Sequence, residues 1–269
     1  MSLRGGSSIV AIVTVLLVSA CASAPLGTPA VAAVEAGYLS PGALGRLADA
    51  VPSPSADGSA EQVADRALSD RYRTLENSDR WLLATAHAEL RPDQALQHFD
   101  CALGVRFTGA TTPRLKALFE KLLHDANEAA ELAKARAFRP RPVGVDPQRP
   151  SCQRVSEAGR ASPSYPSGSA AVGAAYGAAM ARIAPDQAVA ANEIGHQIAL
   201  SRVVCGMHYP ADAAAGEAVG RAVFAQVAAM PAFRSDLTAA REELAAVRNS
   251  GLTNPGCAAE RAALTVVLP

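Results

Sequence analysis

Residues 113–138 read PRLKALFEKLLHDANEAAELAKARAF and carry the longest helical pattern in the chain. Thr111 or Thr112 can cap a helix and Pro113 suits a first helical turn, so the pattern predicts a helix running to about Phe138. Its apolar residues repeat on one wide face: Leu115, Leu118, Phe119, Leu122, Leu123, Ala126, Ala130 and Ala133. A stripe of this width predicts a helix at the centre of a bundle.

The rest of the chain from Ser59 onward also follows helical patterns, and no segment shows the convincing alternation of a strand. The fold class is therefore predicted to be all-α, with a single helical bundle domain over residues 59–248. Further helices are predicted near residues 61–75, 78–90, 93–103, 167–183, 187–203, 211–229 and 232–247. The helix beginning at Ser167 is so rich in Ala and Gly that a neighbour must approach it closely. The tail over residues 249–269 offers little beyond Cys257.

The N-terminus has the features of an export signal. Arg4 precedes an apolar run from Ile9 to Val18, which is too short to span a bilayer and is typical of a signal peptide over residues 1–20. The run ends in VSAC, which resembles a bacterial lipobox that would place a lipid on Cys21. The alternative is an ordinary signal peptide cleaved after one of the small residues up to Ala33. Both readings predict a periplasmic protein, and the first adds a lipid anchor to the outer membrane.

Residues 21–58 are rich in Ala, Pro, Gly and Ser and poor in large apolar side chains. This composition predicts a tether followed by a docking segment. The docking is expected to begin at Tyr38 and Leu39.

The overall charge is balanced, with 25 basic and 25 acidic residues. A formal net charge of zero implies neither a nucleic acid nor an acidic membrane as partner. Membrane contact is expected only through a lipid at Cys21, and assembly into a homo-oligomer is left open. Local basic clusters therefore matter more than the global charge.

Two segments have the features of an anion site. Four cations cluster where the long helix runs into two prolines: Lys134, Arg136, Arg139 and Arg141. Residues 166–169 read PSGS and precede an Ala-rich helical pattern, so their backbone N–H groups would lie at a helix N-terminus. Such a terminus favours negative charge.

Residues 201–212 read SRVVCGMHYPAD and bring three chemically active side chains together. Arg202 can bind a phosphate or carboxylate through two parallel hydrogen bonds. His208 and Asp212 stand four residues apart, so the carboxylate could hold one ring nitrogen and leave the other free as a nucleophile or base. The alternative is a surface ion pair at a helix start.

Together these segments resemble the three-part signature of the bacterial class A non-specific acid phosphatases. The matching residues are Lys134 with RP at 141–142, YPSG at 165–168, and SR at 201–202 with His208 and Asp212. That family belongs to the superfamily of type-2 phosphatidic acid phosphatases and vanadium haloperoxidases. The resemblance covers roughly residues 38–248. One position departs from it, since the family pattern has a His where this chain has Ser169.

The resemblance implies a phosphatase that acts on small phosphate esters. Its catalytic residues would be Arg202, His208 and Asp212, and its phosphate-binding residues Lys134, Arg141, Ser167, Gly168 and Ser169. His208 would form a phosphohistidine while Asp212 held its far ring nitrogen. No cofactor and no metal are implied, because the cations take the place of a metal ion and the chain has no Asp/His cluster at two-metal spacing. The serine at position 169 is far too weak an acid to replace the family His, which predicts reduced or selective activity.

Two other functions are compatible with these residues. A catalytically impaired phosphate-binding lipoprotein would explain Ser169. A vanadate-dependent oxidation would use the same phosphate-binding residues, here called the cradle, but the match to class A phosphatases over the whole domain argues against it. The physiological substrate is not indicated by the sequence.

The cysteines fit an oxidising compartment. Setting Cys21 aside leaves an even number, Cys101, Cys152, Cys205 and Cys257, which allows three pairings. We favour Cys152 with Cys205, because both flank the proposed site and a bridge would hold its loops together. Cys101 with Cys257 would then staple the tail. Buried free thiols are the alternative.

Overall fold

A computed structural model describes Ser2 and residues 37–269. Residues 37–269 lie within one compact unit, Glu35–Pro269. The predicted signal peptide, the VSAC motif and Cys21 fall outside the described residues. Among the helices that are described, none has the length and apolarity needed to cross a membrane.

Helices make up most of the described part of the chain, which contains no β-strand. This finding confirms the predicted all-α fold. The α-helices are α1 (Pro41–Asp49), α2 (Ala60–Arg71), α3 (Asp79–His87), α4 (Pro92–Ala95), α5 (Asp100–Leu103), α6 (Pro113–Lys134), α7 (Pro142–Val145), α8 (Glu157–Ala161), α9 (Gly168–Ile183), α10 (Ala188–Val204), α11 (Pro210–Val227), α12 (Pro231–Asn249) and α13 (Cys257–Leu264).

Serine caps and prolines fix where the helices begin. The side chains of Ser40, Ser59, Ser78 and Ser167 each accept a hydrogen bond from a backbone N–H in the first turn of the helix that follows. Proline occupies the start of α1, α6, α11 and α12, where its missing N–H costs nothing.

The predicted central helix is α6. It packs against α1, α9, α11 and α12. Leu115, Leu118, Phe119 and Leu122 on its apolar stripe are fully buried. The stripe therefore organises the bundle as the sequence predicted.

Small residues bring α9 very close to α10 and α11. A Cβ added to Gly195 of α10 would lie 2.6 Å from the carbonyl oxygen of Gly173 in α9. A Cβ added to Gly220 of α11 would lie 2.1 Å from the carbonyl oxygen of Ala171. Only glycine fits at such distances, and the predicted close approach to α9 is confirmed.

The long helix ends earlier than the sequence suggested. α6 stops at Lys134 rather than near Phe138, which is 68% exposed. The chain then runs beside a second loop, where the N–H of Ser164 donates to the carbonyl oxygen of Arg139 at 2.8 Å. Arg139 precedes Pro140, and a residue before proline avoids the helical conformation. The early end leaves Lys134 at the tip of the helix.

The folded domain begins before the predicted boundary at residue 59. The backbone N–H groups of Tyr38 and Leu39 donate to the carboxylate of Asp125 at 2.8 and 3.2 Å. Leu44 on α1 is 2% exposed, and α1 packs on α6 and α11. Tyr38 and Leu39 thus dock on α6 through Asp125, and the segment that follows them forms a helix packed on the bundle. The Ala, Pro and Gly content hid the short apolar face of α1.

Two disulfides are present in the favoured pairing, Cys101 with Cys257 and Cys152 with Cys205. The first joins α5 to α13, and α13 also packs on α3. The folded domain therefore continues past the predicted boundary at residue 248. The second joins the loop before α8 to the C-terminal end of α10.

Candidate active site

The ends of four helices meet at one place in the bundle. The N–H of Ser167, just before α9, donates to the carbonyl oxygen of Asp212 in α11 at 2.9 Å. The C-terminal residue of α6, Lys134, approaches the start of α9, since a Cβ on Gly168 would lie 3.5 Å from its Nζ. Arg202 lies in the last turn of α10. The sequence motifs, distant along the chain, thus face one another.

His208 lies in the connection between α10 and α11 and is 2% exposed. Its Nδ1 is 2.8 Å from the carbonyl oxygen of Ser164, and its Nε2 is 2.9 Å from Nη1 of Arg141. A carbonyl only accepts and a guanidinium only donates, so Nδ1 carries the proton and Nε2 keeps its lone pair. Burial, with help from the charge of Arg141 and against the effect of Asp212, lowers the pKa of His208 to about 3. The imidazole therefore stays neutral and nucleophilic at acidic pH.

Asp212 does not make the direct hydrogen bond to His208 that the sequence suggested. Its Oδ2 is 3.9 Å from Nδ1 and instead accepts from the hydroxyl of Ser164 at 2.6 Å and the N–H of Tyr209 at 2.8 Å. Its Oδ1 accepts from Nη1 of Arg139 at 2.7 Å. Burial alone would raise the pKa of Asp212, but His208, Arg139 and Ser164 together lower it. Asp212 thus acts on His208 through Ser164 and through its charge.

Arg139 is a site residue that the sequence-based set omitted. Arg139 is 4% exposed, and its guanidinium bonds the carboxylates of Asp212 and Asp65 and lies 4.2 Å from the ring centroid of Tyr209. Asp65 on α2 also accepts from the N–H of Ala211 at 2.9 Å. Only its place in the basic cluster hinted at this role. Arg139 connects α2 to the start of α11 and holds the carboxylate in position.

Replacing Arg139 with methionine is expected to lower the free energy of unfolding by about 3–5 kcal/mol, because Asp212 would remain buried without its cation. Arg136→Met is the matched control. Arg136 pairs with Asp49 at 2.7 Å in an exposed position, so its loss should cost at most about 1 kcal/mol. Urea unfolding followed by circular dichroism measures both. Equal midpoints for the two variants would contradict the structural role of Arg139.

Three buried cations surround His208. Burial lowers the pKa of Arg202 to about 10 and also lowers those of Lys134 and Arg141. Lys134 pairs with Glu131. Arg202 donates from Nη2 to Oε1 of Gln153 at 3.1 Å, while its buried Nε and Nη1 have no hydrogen-bond partner among the described residues. Such unmet donors indicate a site prepared for an anion.

The N-terminus of α9 completes the site. The hydroxyl of Ser167 caps the helix, and the N–H groups of Gly168 and Ser169 belong to the first turn, which has no intrahelical acceptors. A Cβ on Gly168 would lie 3.2 Å from Oδ1 of Asn127, so the side chains of α6 pack tightly against this turn. Ser169 is half-buried, and its hydroxyl makes no hydrogen bond to any other described residue.

The structure brings together every residue that the motifs nominated: Lys134, Arg141, Ser167, Gly168, Ser169, Arg202, His208 and Asp212. It adds Arg139, Gln153 and Ser164. Within residues 37–269, no group of three or more His, Cys, Asp or Glu side chains could hold a metal ion. Cations, helix N–H groups and a neutral imidazole can bind a tetrahedral oxyanion and attack it.

A helical bundle that gathers buried cations and a neutral histidine at a helix N-terminus defines a class of proteins that bind phosphate-like oxyanions. A family model described as the PAP2 superfamily matches residues 122–236, which contain Lys134, His208 and Asp212. The chain belongs to the PAP2 superfamily.

Curated relatives carry phosphatase names. An acid phosphatase of Zymomonas mobilis subsp. mobilis is 32% identical over 201 residues, covering 74% of this chain and 76% of that protein. A non-specific acid phosphatase of Providencia stuartii is 29% identical over 203 residues, covering 74% and 80%. One from Salmonella typhimurium is 30% identical over 195 residues, covering 72% and 77%. The resemblance to non-specific acid phosphatases is confirmed.

Proposed function

We propose that the protein is an acid phosphatase that hydrolyses small phosphate monoesters through a phosphohistidine intermediate, without a metal ion. The observation that carries this proposal is the hydrogen bonding of the two ring nitrogens of His208. Its Nδ1 proton is held by the Ser164 carbonyl, and its Nε2 lone pair faces a cluster of cations. The names of the relatives support acid phosphatase activity.

The first step is attack on phosphorus. The phosphoryl oxygens bind the side chains of Lys134, Arg141 and Arg202 and the first N–H groups of α9. Arg141, which donates to Nε2 in the free protein, turns its N–H groups to the phosphate and releases the lone pair. Nε2 of His208 then attacks in line with the leaving oxygen. The cations stabilise the charge on the equatorial oxygens, and Asp212 stabilises the imidazolium.

The second step releases phosphate. Water attacks the phosphohistidine, and the electron pair of the P–N bond returns to Nε2 of His208. The Ser164 carbonyl keeps Nδ1 protonated throughout, so the same nitrogen is restored as the nucleophile.

Position 169 favours a second candidate. Ser169 has a hydroxyl that cannot give a full proton to a leaving alkoxide, which the family His would do. A phosphate-binding protein with impaired catalysis would keep the cradle and lose this step. In either role we propose a periplasmic location, with Cys21 as the lipid-bearing residue of an outer-membrane lipoprotein.

The deciding experiment is a rate measurement on the purified protein with 4-nitrophenyl phosphate and an alkyl phosphate, in EDTA. Hydrolysis of both without added metal is expected, together with inhibition by vanadate, whose trigonal bipyramid on His208 would resemble the transition state. Loss of all activity in EDTA and its recovery with a divalent metal would refute the metal-free mechanism. Phosphate binding without turnover would favour the impaired phosphate-binding protein.

Ser169→His is expected to raise turnover of alkyl phosphates, by about 10²-fold where no other group supplies the proton, because a positioned general acid is typically worth about 10²–10⁴-fold. Turnover of 4-nitrophenyl phosphate should change far less, because nitrophenolate leaves without a proton. Steady-state kinetics on both substrates tests this. Equal gains on the two esters would contradict a missing proton donor at position 169.

A further inference from the structure

A carboxyl group lies at the rim of the phosphate site, where the mechanism above does not use it. Glu131 is on α6, one turn before Lys134, and pairs with the Lys134 ammonium. A Cβ on Gly168 would lie 3.5 Å from its Oε1. Its side chain is 49% exposed, so it borders both the cradle and solvent. Glu131 therefore stands beside the first turn of α9, next to the position of Ser169.

The charges around Glu131 define what it can do. Lys134 pairs with it from its own helix, the first turn of α9 lies close to it across the cradle, and the charge of Glu131 reaches Arg141. Asn127, one turn earlier, is neutral. Without an anion these groups suit an ionised carboxylate. A phosphate dianion would repel that carboxylate, so phosphate and a protonated Glu131 favour each other.

We propose that the carboxyl group of Glu131 protonates the leaving oxygen, a proton transfer for which the hydroxyl of Ser169 is too weak an acid. This inference rests on the proposed phosphatase function. As Nε2 of His208 bonds to phosphorus, the P–O bond to the leaving group breaks and its electron pair stays on oxygen. That oxygen takes the proton of the Glu131 carboxyl group. The products of the step are an alcohol, a phosphohistidine and an ionised Glu131.

The second half-reaction restores the proton. Water adds its oxygen to phosphorus and gives a proton to the Glu131 carboxylate, while the P–N electron pair returns to His208. The cycle consumes one ester and one water and leaves Glu131 protonated. The first step needs the protonated carboxyl group of Glu131, and the second step needs its carboxylate.

The test compares Glu131→Gln with Glu128→Gln in the full mature protein. Glutamine keeps the shape of the side chain and has no proton to transfer. Glu128 lies on the same helix, is exposed and has no hydrogen-bond partner among the described residues. Glu128→Gln therefore removes the same charge from α6 without removing a hydrogen bond. For Glu131→Gln we expect kcat on an alkyl phosphate to fall about 10²-fold, with a much smaller change on 4-nitrophenyl phosphate. Glu128→Gln should behave as wild type.

Two further measurements separate proton donation from a structural role. In wild type, kcat on the alkyl ester should fall on the basic side of its pH profile, and Glu131→Gln should lose that limb. Adding Ser169→His to Glu131→Gln should restore alkyl ester turnover, with a larger gain than Ser169→His gives in wild type. Sulfate binding measured by calorimetry in two buffers should take up more protons in wild type than in Glu131→Gln.

The outcomes distinguish the two proposals. If Glu131→Gln slows both esters equally, or speeds both, Glu131 only sets the charge of the cradle and the inference is wrong, while the phosphatase function stands. Equal proton uptake in wild type and Glu131→Gln would also overturn it. If wild type hydrolyses neither ester, the phosphatase function itself fails, and the inference falls with it.

Discussion

Replacing His208 with alanine is expected to lower kcat/KM for all phosphate monoesters by about 10⁴-fold or more, the scale of losing the nucleophile in covalent catalysis. Among the described residues near the cradle, no other buried side-chain nitrogen has the surroundings of the His208 imidazole. The Nδ1 proton and Nε2 lone pair of His208 are fixed by Ser164 and Arg141. Steady-state kinetics with 4-nitrophenyl phosphate gives the ratio directly.

His196→Ala is the matched control for this variant. His196 is exposed and pairs with Glu217 at 2.9 Å on the neighbouring helix, so its removal should leave the rate unchanged. Wild type quenched during turnover should carry acid-labile phosphate on a peptide containing His208, and His208→Ala should carry none. Full activity in His208→Ala would place the nucleophile elsewhere.

Replacing Arg202 with methionine is expected to change activity and stability in opposite directions. The loss of one clamp on the transferring phosphoryl group should lower kcat by about 10²–10³-fold. Yet Arg202 is 3% exposed, its buried Nε and Nη1 have no partner among the described residues, and burial lowers its pKa to about 10. A buried cation whose N–H groups lack partners lowers the free energy of unfolding. The Arg202→Met variant should therefore be more stable by about 1–3 kcal/mol.

Kinetics and urea unfolding in phosphate-free buffer test both halves of this prediction. Arg149→Met is the control, because Arg149 is also buried but has partners in Ser69 and Asp70. Its replacement should lower stability instead of raising it. Arg202→Lys should retain the charge and still lose activity, since an ammonium lacks the two-pronged geometry of a guanidinium. A less stable Arg202→Met protein would show that Arg202 is a structural residue.

Much of the site could be predicted because its chemistry lies in short segments with fixed internal spacing. Arg202, His208 and Asp212 are close in sequence, and the PSGS turn precedes a helix that its own composition predicts. The apolar stripe of α6 and the small residues of α9 also predict how these two helices pack. Neither depends on a distant partner being known.

The rest depends on contacts that leave no trace in the sequence. The tautomer of His208 is set by a backbone carbonyl, that of Ser164, and any residue there would supply one. Asp65 reaches Ala211 across 146 positions, and neither residue type suggests the other. The direct contact between Asp212 and His208 was inferred from helical spacing, but Pro210 starts α11 only after His208, so the imidazole is not on that helix.

The Cys152–Cys205 disulfide has a consequence for where the enzyme can work. It secures Gln153, the partner of Arg202, against the end of α10. Disulfides do not persist in a reducing cytosol. In a reducing environment the protein is therefore expected to hold Arg202 loosely and to bind phosphate poorly. Thiol reductants should therefore lower the phosphatase activity, and reoxidation of Cys152 with Cys205 should restore it.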